Sequence, residues 1–169
     1  MAVQTRSSSN CYTYIDGGSS YSDWVNATNA ETDDTNYTYN TGAFLWFTEY
    51  FGADTFGFTI PRGSSIDGIV IRADVSEHSN GTKNLYADIL PLLPWDPDSS
   101  VTISGTTKTE YSWGSASNNY GFGVSDVNGS DFGCVFGYYN SHVIRIYFIE
   151  IDVYYTPPIS GNSFFWHPF

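Results

Sequence analysis

The sequence predicts an all-β protein: a single antiparallel β-sandwich, jelly-roll-like, with an extended N-terminal arm and an aromatic C-terminal tail. Aromatic residues are unusually common, with 14 Tyr, 12 Phe and 5 Trp in 169 residues, whereas Lys and Arg together number six. Aromatic side chains favour strands. No stretch of twelve residues shows the 3.6-residue period of a helix, and short apolar runs alternate with turn residues. The length fits one domain with a real core.

The strongest element is a long final strand at residues 142–157, which is rich in β-branched and aromatic residues and has no Gly or internal Pro. Its second half alternates, with Glu150 and Asp152 on the face opposite the apolar residues, as expected where one side of a sheet meets water. Its first half is apolar on both faces. Either a β-bulge near Arg145 re-aims the strand, or another strand, loop or subunit covers that half.

The rest of the chain reads as short strands and loops. Residues 1–10 are polar and predict an arm that is flexible or ordered by a partner, residues 19–40 predict a long surface loop, and Asn80-Gly81 predicts a hairpin turn. Pro91 predicts that its strand lies at an edge or frays there. The sandwich is expected to span residues 11–156, and its other predicted strands are 11–15, 43–47, 56–60, 66–75, 84–93, 101–103, 107–113 and 132–139.

Charge and cysteine content limit the function classes. The formal net charge is −12, so the chain has almost no cations with which to bind a nucleic acid. The N-terminus lacks the apolar region of a signal peptide, and no run is long enough to span a membrane, which predicts synthesis in the cytoplasm and no membrane partner. Cys11 and Cys134 are therefore expected to be free thiols, with a disulfide as the alternative.

The C-terminal tail, residues 157–169, places four aromatic side chains after a Pro-Pro pair. Left in water, they would form an exposed apolar patch, which marks an interaction site or an aggregation hazard. The tail either docks onto its own domain or inserts into a neighbouring subunit. The predicted assembly residues are Phe164, Phe165, Trp166 and Phe169.

Residues 60–72, IPRGSSIDGIVIR, and residues 149–156, IEIDVYYT, carry a family resemblance, together with Trp113-Gly114, Tyr120-Gly121, Val127-Asn128 and Phe132-Gly133. In this order, over residues 59–156, they resemble a β-sandwich domain of tailed-bacteriophage virion proteins. The resemblance implies a non-enzymatic structural part of the virion, foremost a capsid decoration or cement protein that assembles through its terminal segments. The implied partners are further copies of the chain, with a trimer expected, and the major capsid protein or tail proteins.

The alternative function is a tail fibre or baseplate module that binds a carbohydrate receptor. β-Sandwich binding modules use exposed aromatic rings as stacking platforms, and several rings lie near predicted loops. The rings would otherwise fill the core, and the two cases differ in whether three or more rings lie coplanar and exposed. The candidate stacking residues are Trp24, Trp95, Trp113 and Tyr120.

Enzyme chemistry finds little support in the sequence. None of the three histidines has metal-ligand spacing with a Cys or a second His. Cys134 and His142 could form a nucleophile–base pair, although a buried structural Cys is far more common. Paired acids such as Glu150 and Asp152 could serve glycoside hydrolysis, but adjacent acids on one strand are more typical of a solvated face.

Calcium is the one metal that the sequence suggests. Asp126, Asn128 and Asp131 offer oxygen ligands in a turn, but the acid that completes an EF-hand loop is missing. Asp, Asn and Gly are also ordinary turn residues. We therefore expect no catalytic residue, no bound metal and no cofactor.

Overall fold

The computed structural model of the protein describes residues 1–14, 24–40, 50–79, 81–91, 100–138 and 143–159. These residues form eleven β-strands, one 3-10 helix (Ala27–Glu31) and one short α-helix, α1 (Val124–Val127). The predicted all-β class is confirmed. The strands are β1 (Ala2–Ser7), β2 (Asn10–Tyr14), β3 (Trp24–Val25), β4 (Thr38–Asn40), β5 (Tyr50–Asp54), β6 (Ser65–Glu77), β7 (Thr82–Leu90), β8 (Ser100–Ser104), β9 (Thr109–Ser115), β10 (Gly133–Tyr138) and β11 (Ile144–Thr156).

The strands form two antiparallel sheets around one core. Sheet 1 has the order β3-β4-β11-β6-β9, with β1 also paired to β11, and sheet 2 has the order β2-β5-β10-β7-β8. Among the described strands, most consecutive pairs lie in different sheets, so the chain crosses the sandwich repeatedly. This confirms the predicted antiparallel sandwich and its jelly-roll-like path.

The central strand of sheet 1 is β11, which pairs with β6 along its length. The pairing changes register between Ile146 and Phe148, so Tyr147 forms a bulge. The bulge that the sequence predicted near Arg145 is therefore confirmed. It lets residues on both sides of it face the core with 0% exposure, namely Ile144, Ile146, Ile149, Ile151 and Val153.

The outer face of the first half of β11 is also covered from within the chain. The Tyr37 ring packs edge-on against the Tyr147 ring with 5.4 Å between centroids, and the Arg145 guanidinium lies 4.7 Å from the Tyr37 ring centroid. The two explanations left open by the sequence therefore both apply.

Residues 1–10 were predicted as an arm that is flexible or ordered by a partner, and this is wrong for most of the segment. Strand β1 pairs in regular antiparallel register with the second half of β11, from Ala2 opposite Tyr155 to Ser7 opposite Glu150. The Gln4 side chain also bonds to Thr59 in both directions. The segment reads as polar because most of β1 is exposed at an edge of sheet 1.

Two further sequence predictions need correction. Phe56, Phe58 and Ile60 are buried as their alternation predicts, but residues 56–60 form no strand. The Asn128 amide side chain bonds both the N–H and the C=O of Ile60, replacing a ladder partner. The predicted loop 19–40 contains β3, the 3-10 helix and β4 within its described part, and the predicted strand 43–47 lies outside the described residues.

The turn predicted at Asn80-Gly81 joins two strands of different sheets, so it makes a crossing and not a hairpin. The fully buried Glu77 carboxylate shapes it by accepting hydrogen bonds from the Ser79 N–H at 2.7 Å and the Gly81 N–H at 2.8 Å. Strand β7, which follows this turn, ends at Leu90, immediately before Pro91. This end was predicted because proline has no N–H to donate to the sheet.

Both cysteines are free and buried, as predicted. They sit on either side of Ala53, since Cys11 and Cys134 each pair with it from a neighbouring strand. Two strand spacings of about 4.8 Å separate their backbones by about 9.6 Å, beyond the reach of a disulfide. Burial raises the pKa of Cys11 to about 12 and raises the pKa of Cys134 well above its ordinary value.

The native protein should therefore resist thiol reagents. At pH 8 a thiol with a pKa of about 12 is ionised in about one molecule in 10,000, and the thiolate is the reactive form. We expect Ellman's reagent to label both cysteines at least about 100-fold more slowly in buffer than in denaturant. Rapid labelling of either cysteine in the folded protein would contradict the buried positions.

Candidate functional site

Two of the predicted stacking residues belong to the core, so their assignment to a glycan platform is wrong. Trp24 is 4% exposed and packs against Phe51, and Trp113 is 3% exposed and donates its indole N–H to the Leu85 carbonyl at 3.1 Å. Both rings point between the sheets because of the strand register, which the sequence alone does not reveal.

Tyr120 is half-buried and packs against the core from the loop after β9. Trp95 lies outside the described residues, as do the predicted assembly residues Phe164, Phe165, Trp166 and Phe169. The four candidate stacking residues thus provide no platform of three exposed rings within the described part of the chain.

The suspected calcium loop uses its polar side chains for structure. Asp126 accepts a hydrogen bond from the Gly123 N–H at 2.8 Å and caps α1. The Asn128 side chain is hydrogen-bonded to the backbone of Ile60. Within the described residues, no three His, Cys, Asp or Glu side chains are grouped to hold a metal ion. No described helix is long and apolar enough to cross a membrane.

The suggested nucleophile Cys134 is fully buried, and its raised pKa keeps it a neutral thiol. A catalytic thiol needs a lowered pKa and access to substrate. His142, its proposed base, lies outside the described residues. Cys134 is therefore a core residue.

Polar side chains converge on the outer face of sheet 1 around Arg72, in the middle of β6. Arg72 lies directly opposite Glu150 of β11, and Asp152 pairs with Val70, which is two residues before Arg72. On the other side, Glu110 of β9 pairs with Asp74, which is two residues beyond Arg72. Directly and diagonally opposite residues of antiparallel strands are within contact distance, so one arginine meets three carboxylates.

The Arg72 guanidinium forms ion pairs with all three carboxylates. The distances are 2.9 Å to Asp152, 2.9 Å to Glu150 and 3.1 Å to Glu110. Thr5 of β1 donates a further hydrogen bond of 2.5 Å to Asp152. The exposed fraction of the side chain is 11% for Asp152, 25% for Glu150 and 58% for Glu110. Solvent exposure of the three carboxylates therefore increases from Asp152 to Glu110.

A second cation completes the site from the loop before β9. Lys108 contacts Asp33 at 2.6 Å and Asp74 at 3.0 Å, which draws the segment before β4 across the outer face of sheet 1. Arg72 and four of these carboxylates border a cleft of about 140 Å³, here named the Arg72 cleft. Its lining residues are Asp33, Arg72, Ala73, Asp74, Glu110, Phe148 and Glu150.

The Arg72 cleft is acidic overall. Five carboxylates, those of Asp33, Asp74, Glu110, Glu150 and Asp152, stand against two cations, Arg72 and Lys108, a balance of −3. Hydrogen bonding to Asp152 raises the pKa of Arg72, and hydrogen bonding to Asp33 raises the pKa of Lys108. Burial raises the pKa of Glu150, against the opposing effect of Arg72.

The raised pKa of Glu150 should appear in the pH dependence of stability. The folded state holds this proton at pH values where the unfolded chain, with a pKa near 4.5, has lost it. Stability contributed by Glu150 is therefore present below pH 4.5 and is lost as the pH rises through the folded pKa. We expect Glu150→Gln to flatten the decline of unfolding free energy above pH 4.5, measured by urea denaturation across pH.

The matched control for that series is Asp131→Asn, which neutralises an exposed carboxylate outside the Arg72 cleft. This variant should keep the wild-type slope. If Glu150→Gln and the wild type show parallel curves between pH 4.5 and pH 7, Glu150 is not the group responsible.

Sequence reasoning found part of the Arg72 cleft. Glu150 and Asp152 were placed correctly on the outer face of β11, but a solvated face was expected, and the Asp152 side chain is only 11% exposed. Arg72 was not singled out. It could have been recognised because it lies on the outer face of β6, a strand with clear alternation. A partly buried arginine in the middle of a sheet is expected to pair with carboxylates on the neighbouring strands.

No model of a protein family matches the chain, and no curated protein matches it. Two solved structures are similar in fold. One is a family 29 carbohydrate binding module, CBM29_1, from Piromyces equi, with 8% identity, a TM-score of 0.46 and coverage of 90% of this chain and 91% of that chain. The other is CBM1 of BiXyn10A in its apo form, with 12% identity, a TM-score of 0.41 and coverage of 87% and 98%. At these identities the likeness concerns the fold alone.

Proposed function

We propose that the protein is a non-catalytic binding module that takes a neutral carbohydrate in the Arg72 cleft. The observation that carries the proposal is the concentration of charged hydrogen-bonding groups around Arg72 in a cleft on the outer face of sheet 1. Sites of this kind combine a few fixed polar groups with an apolar wall. Here Phe148 supplies the apolar wall.

The chemistry of the Arg72 cleft suits sugar hydroxyl groups. A carboxylate accepts at about four lone-pair positions, so Glu110 and Glu150 keep acceptor capacity beyond their bonds to Arg72. A guanidinium donates, and a hydroxyl can do both. Because Arg72 is held by three carboxylates, its donors are fixed before a ligand arrives, which lowers the entropy cost of binding.

Charge and size narrow the ligand. The balance of −3 in the Arg72 cleft disfavours phosphate, sulfated sugars and uronic acids through repulsion. A volume of about 140 Å³ is smaller than the roughly 300–1,000 Å³ of pockets that enclose a whole drug-sized ligand. The Arg72 cleft therefore takes one sugar ring or the end of a glycan chain, with millimolar to micromolar affinity, or about −4 to −8 kcal/mol.

The test is a panel of neutral oligosaccharides titrated into the full chain and followed by NMR chemical-shift changes. The informative variants are Glu110→Gln and Asp33→Asn, because both side chains are more than half exposed and their loss should leave the fold intact. We expect one oligosaccharide class to shift β6, β9 and β11 resonances and each variant to weaken its binding at least about tenfold.

The control variant is again Asp131→Asn, which should bind as the wild type does. Failure of the whole panel at millimolar concentration, or binding that Glu110→Gln and Asp33→Asn leave unchanged, would overturn the proposal.

A second candidate function is the structural virion part implied by the family resemblance. The observation in its favour is that both ends of the described chain emerge at one end of sheet 1, since Ala2 pairs with Tyr155. Met1, next to Ala2 in sequence, is 78% exposed, and Ile159, three residues after Thr156, is 96% exposed. Such side chains are typical of contacts with further copies or with capsid or tail proteins.

Immunogold labelling of intact phage particles with antibody to this protein tests the second function. Label on the head would support a decoration or cement protein, and label on the tail or its tip would support a fibre or baseplate part that presents the Arg72 cleft to a receptor. Unlabelled particles would contradict a place on the virion surface.

A further inference from the structure

Arg145 of β11 is a cation that the Arg72 cleft does not use. It projects from the outer face of sheet 1, because its neighbours Ile144 and Ile146 are fully buried in the core. Arg72 and Lys108 each form ion pairs with carboxylates, whereas Arg145 forms none with the residues that the structure describes. The chain has 18 acidic and six basic residues, so a half-buried arginine without a carboxylate partner is unexpected.

Aromatic rings hold the Arg145 guanidinium in place. It lies 4.7 Å from the centroid of the Tyr37 ring, which is a cation–π contact. Tyr37 packs edge-on against the Tyr147 ring at 5.4 Å and the Tyr39 ring at 5.9 Å between centroids. The Tyr147 hydroxyl is fixed in turn by a hydrogen bond with Ser76 at 3.1 Å. A guanidinium that stacks on a ring keeps the N–H groups along its edge, and these match the two oxygens of a carboxylate.

His78 adds a second donor beside Arg145. The Nδ1 atom of His78 is in hydrogen-bonding contact with a terminal nitrogen of the Arg145 guanidinium. Because arginine has no acceptor, Nδ1 is the acceptor, and the proton of the neutral imidazole is on Nε2. His78 is exposed, so its Nε2–H can donate to a ligand. Arg145, His78 and Tyr37 are here named the Arg145 site.

The Arg145 site and the Arg72 cleft lie on the same face of sheet 1. Arg145 pairs with Ser76, which is four residues from Arg72 on β6 and therefore about 13 Å away along the strand. This separation exceeds the screening length of about 8 Å at physiological ionic strength. Asp74, which lies between them on β6, is paired with Lys108 at 3.0 Å. An anion at Arg145 therefore meets little repulsion from the carboxylates around Arg72.

We propose that the glycan in the Arg72 cleft carries a carboxylate on a unit further along its chain, and that this carboxylate binds at the Arg145 site. The inference rests on the proposed function and names its ligand more closely. A neutral sugar unit occupies the Arg72 cleft, and a uronic acid unit lies at Arg145. The carboxylate accepts two N–H bonds from Arg145, and a ring hydroxyl accepts one from His78.

Charge favours this occupant over two others. A carboxylate carries a single charge, so a chain of net charge −12 repels it less than a phosphate with two charges. A second copy of the protein also offers carboxylates, but it brings a further net charge of −12 with them. A mostly neutral glycan with one carboxylate meets the least repulsion.

The test uses pairs of oligosaccharides that differ in one unit, which ends in either a primary alcohol or the carboxylate of a uronic acid. Each member is titrated into the full chain at about 0.15 M salt, so that surface charges are screened as in the cell, and followed by NMR. We expect the acidic member of one pair to bind the wild type at least about fivefold more tightly than its neutral partner. Only the acidic member should shift the Arg145 guanidinium and His78 imidazole resonances.

Substitutions of Arg145 show whether the guanidinium causes the preference. Arg145→Met should abolish it and leave binding of the neutral member unchanged. Arg145→Lys keeps the charge without the planar fork, so it should retain part of the preference, and it serves as the test if methionine prevents folding. Arg62→Met is the control and should keep the full preference, because Arg62 is exposed in the loop before β6. Glu110→Gln should weaken both members equally, since it alters only the Arg72 cleft.

The outcomes separate this inference from the function on which it rests. An acidic member that binds no more tightly than its neutral partner, or a preference that persists in Arg145→Met, would overturn the inference and leave the neutral-sugar proposal standing. Failure of both members of every pair would overturn the proposed function as well. Arg145 and His78 resonances that shift with protein concentration in the absence of sugar would refute the inference, because a second copy would then supply the carboxylate.

Discussion

Arg72→Met should lower the unfolding free energy by about 3 kcal/mol at pH 7. Methionine keeps much of the aliphatic stem but removes the charge that holds Asp152, Glu150 and Glu110 together. Removing one partner of a buried ion pair costs about 3–5 kcal/mol because the other charge stays behind. We place the loss at the low end because the Glu110 side chain is 58% exposed and well solvated.

The loss should shrink in acid. Without Arg72 the charge that lowers the pKa of Glu150 is gone, whereas Asp152 and Glu110 still raise it, so the pKa of Glu150 in the folded state rises further. A raised carboxyl pKa makes the folded state relatively more stable at low pH, so the variant should approach the wild type near pH 4. Urea denaturation at pH 7 and pH 4 measures both values.

Arg62→Met is the matched control, because Arg62 is exposed in the loop before β6. It should change the unfolding free energy by less than about 0.5 kcal/mol. Similar losses for the two variants, or a loss for Arg72→Met that does not vary with pH, would mean that the carboxylates around Arg72 are held by other groups.

The predictable parts of the fold are the strands in which apolar and polar residues alternate along the sequence. Strands β6 and β11 each carry a long run in which every second residue is apolar, and the faces assigned to Ile69, Ile71, Ala73 and Val75 are those the structure buries. The bulge in β11 was one of two explanations that the sequence allowed for a first half that is apolar on both faces.

The incorrect predictions concern hydrogen-bond partners that are distant in sequence. The burial of Phe56, Phe58 and Ile60 follows from their alternation, but the partner of Ile60 is the side chain of Asn128, 68 residues away. Strand β1 was missed for a similar reason. Its polar residues describe an exposed edge, and its partner β11 lies at the other end of the chain.

The Arg72 cleft was only partly predictable because it is assembled from four segments. Arg72 lies 38 residues from Glu110 and 80 residues from Asp152, so no local pattern connects them. The aromatic candidates failed for a related reason. Whether Trp113 faces the core or solvent is decided by its register with Ile71, and a shift of one residue would reverse the answer.

Gly68→Ala should be among the most damaging small substitutions in the protein. A methyl group on Gly68 would lie 2.1 Å from the Ala116 carbonyl carbon and 2.4 Å from the Ser115 carbonyl oxygen. Both atoms belong to the backbone and cannot rotate away. The loop after β9 crosses β6 here, where the Ile69 N–H donates to the Asn118 carbonyl at 3.0 Å.

Relieving this clash requires the loop to move off β6 and to give up that hydrogen bond. Overpacking of a close contact costs about 1–3 kcal/mol and more where the backbone must shift, so we expect a loss of about 3 kcal/mol or more. For a domain of this size the corresponding fall in Tm is about 6–12 °C. Amide hydrogen exchange at Ile69 should accelerate as well, because its acceptor has moved.

Gly123→Ala distinguishes this clash from a general effect of adding a methyl group. At Gly123 the new group would lie 3.6 Å from the Asp126 carboxylate, an ordinary contact, on backbone with φ of −104°. The expected cost is about 1 kcal/mol or less, since alanine is only a poorer N-cap than glycine. A Gly68→Ala protein as stable as Gly123→Ala, with unchanged exchange at Ile69, would show that the loop does not press on β6.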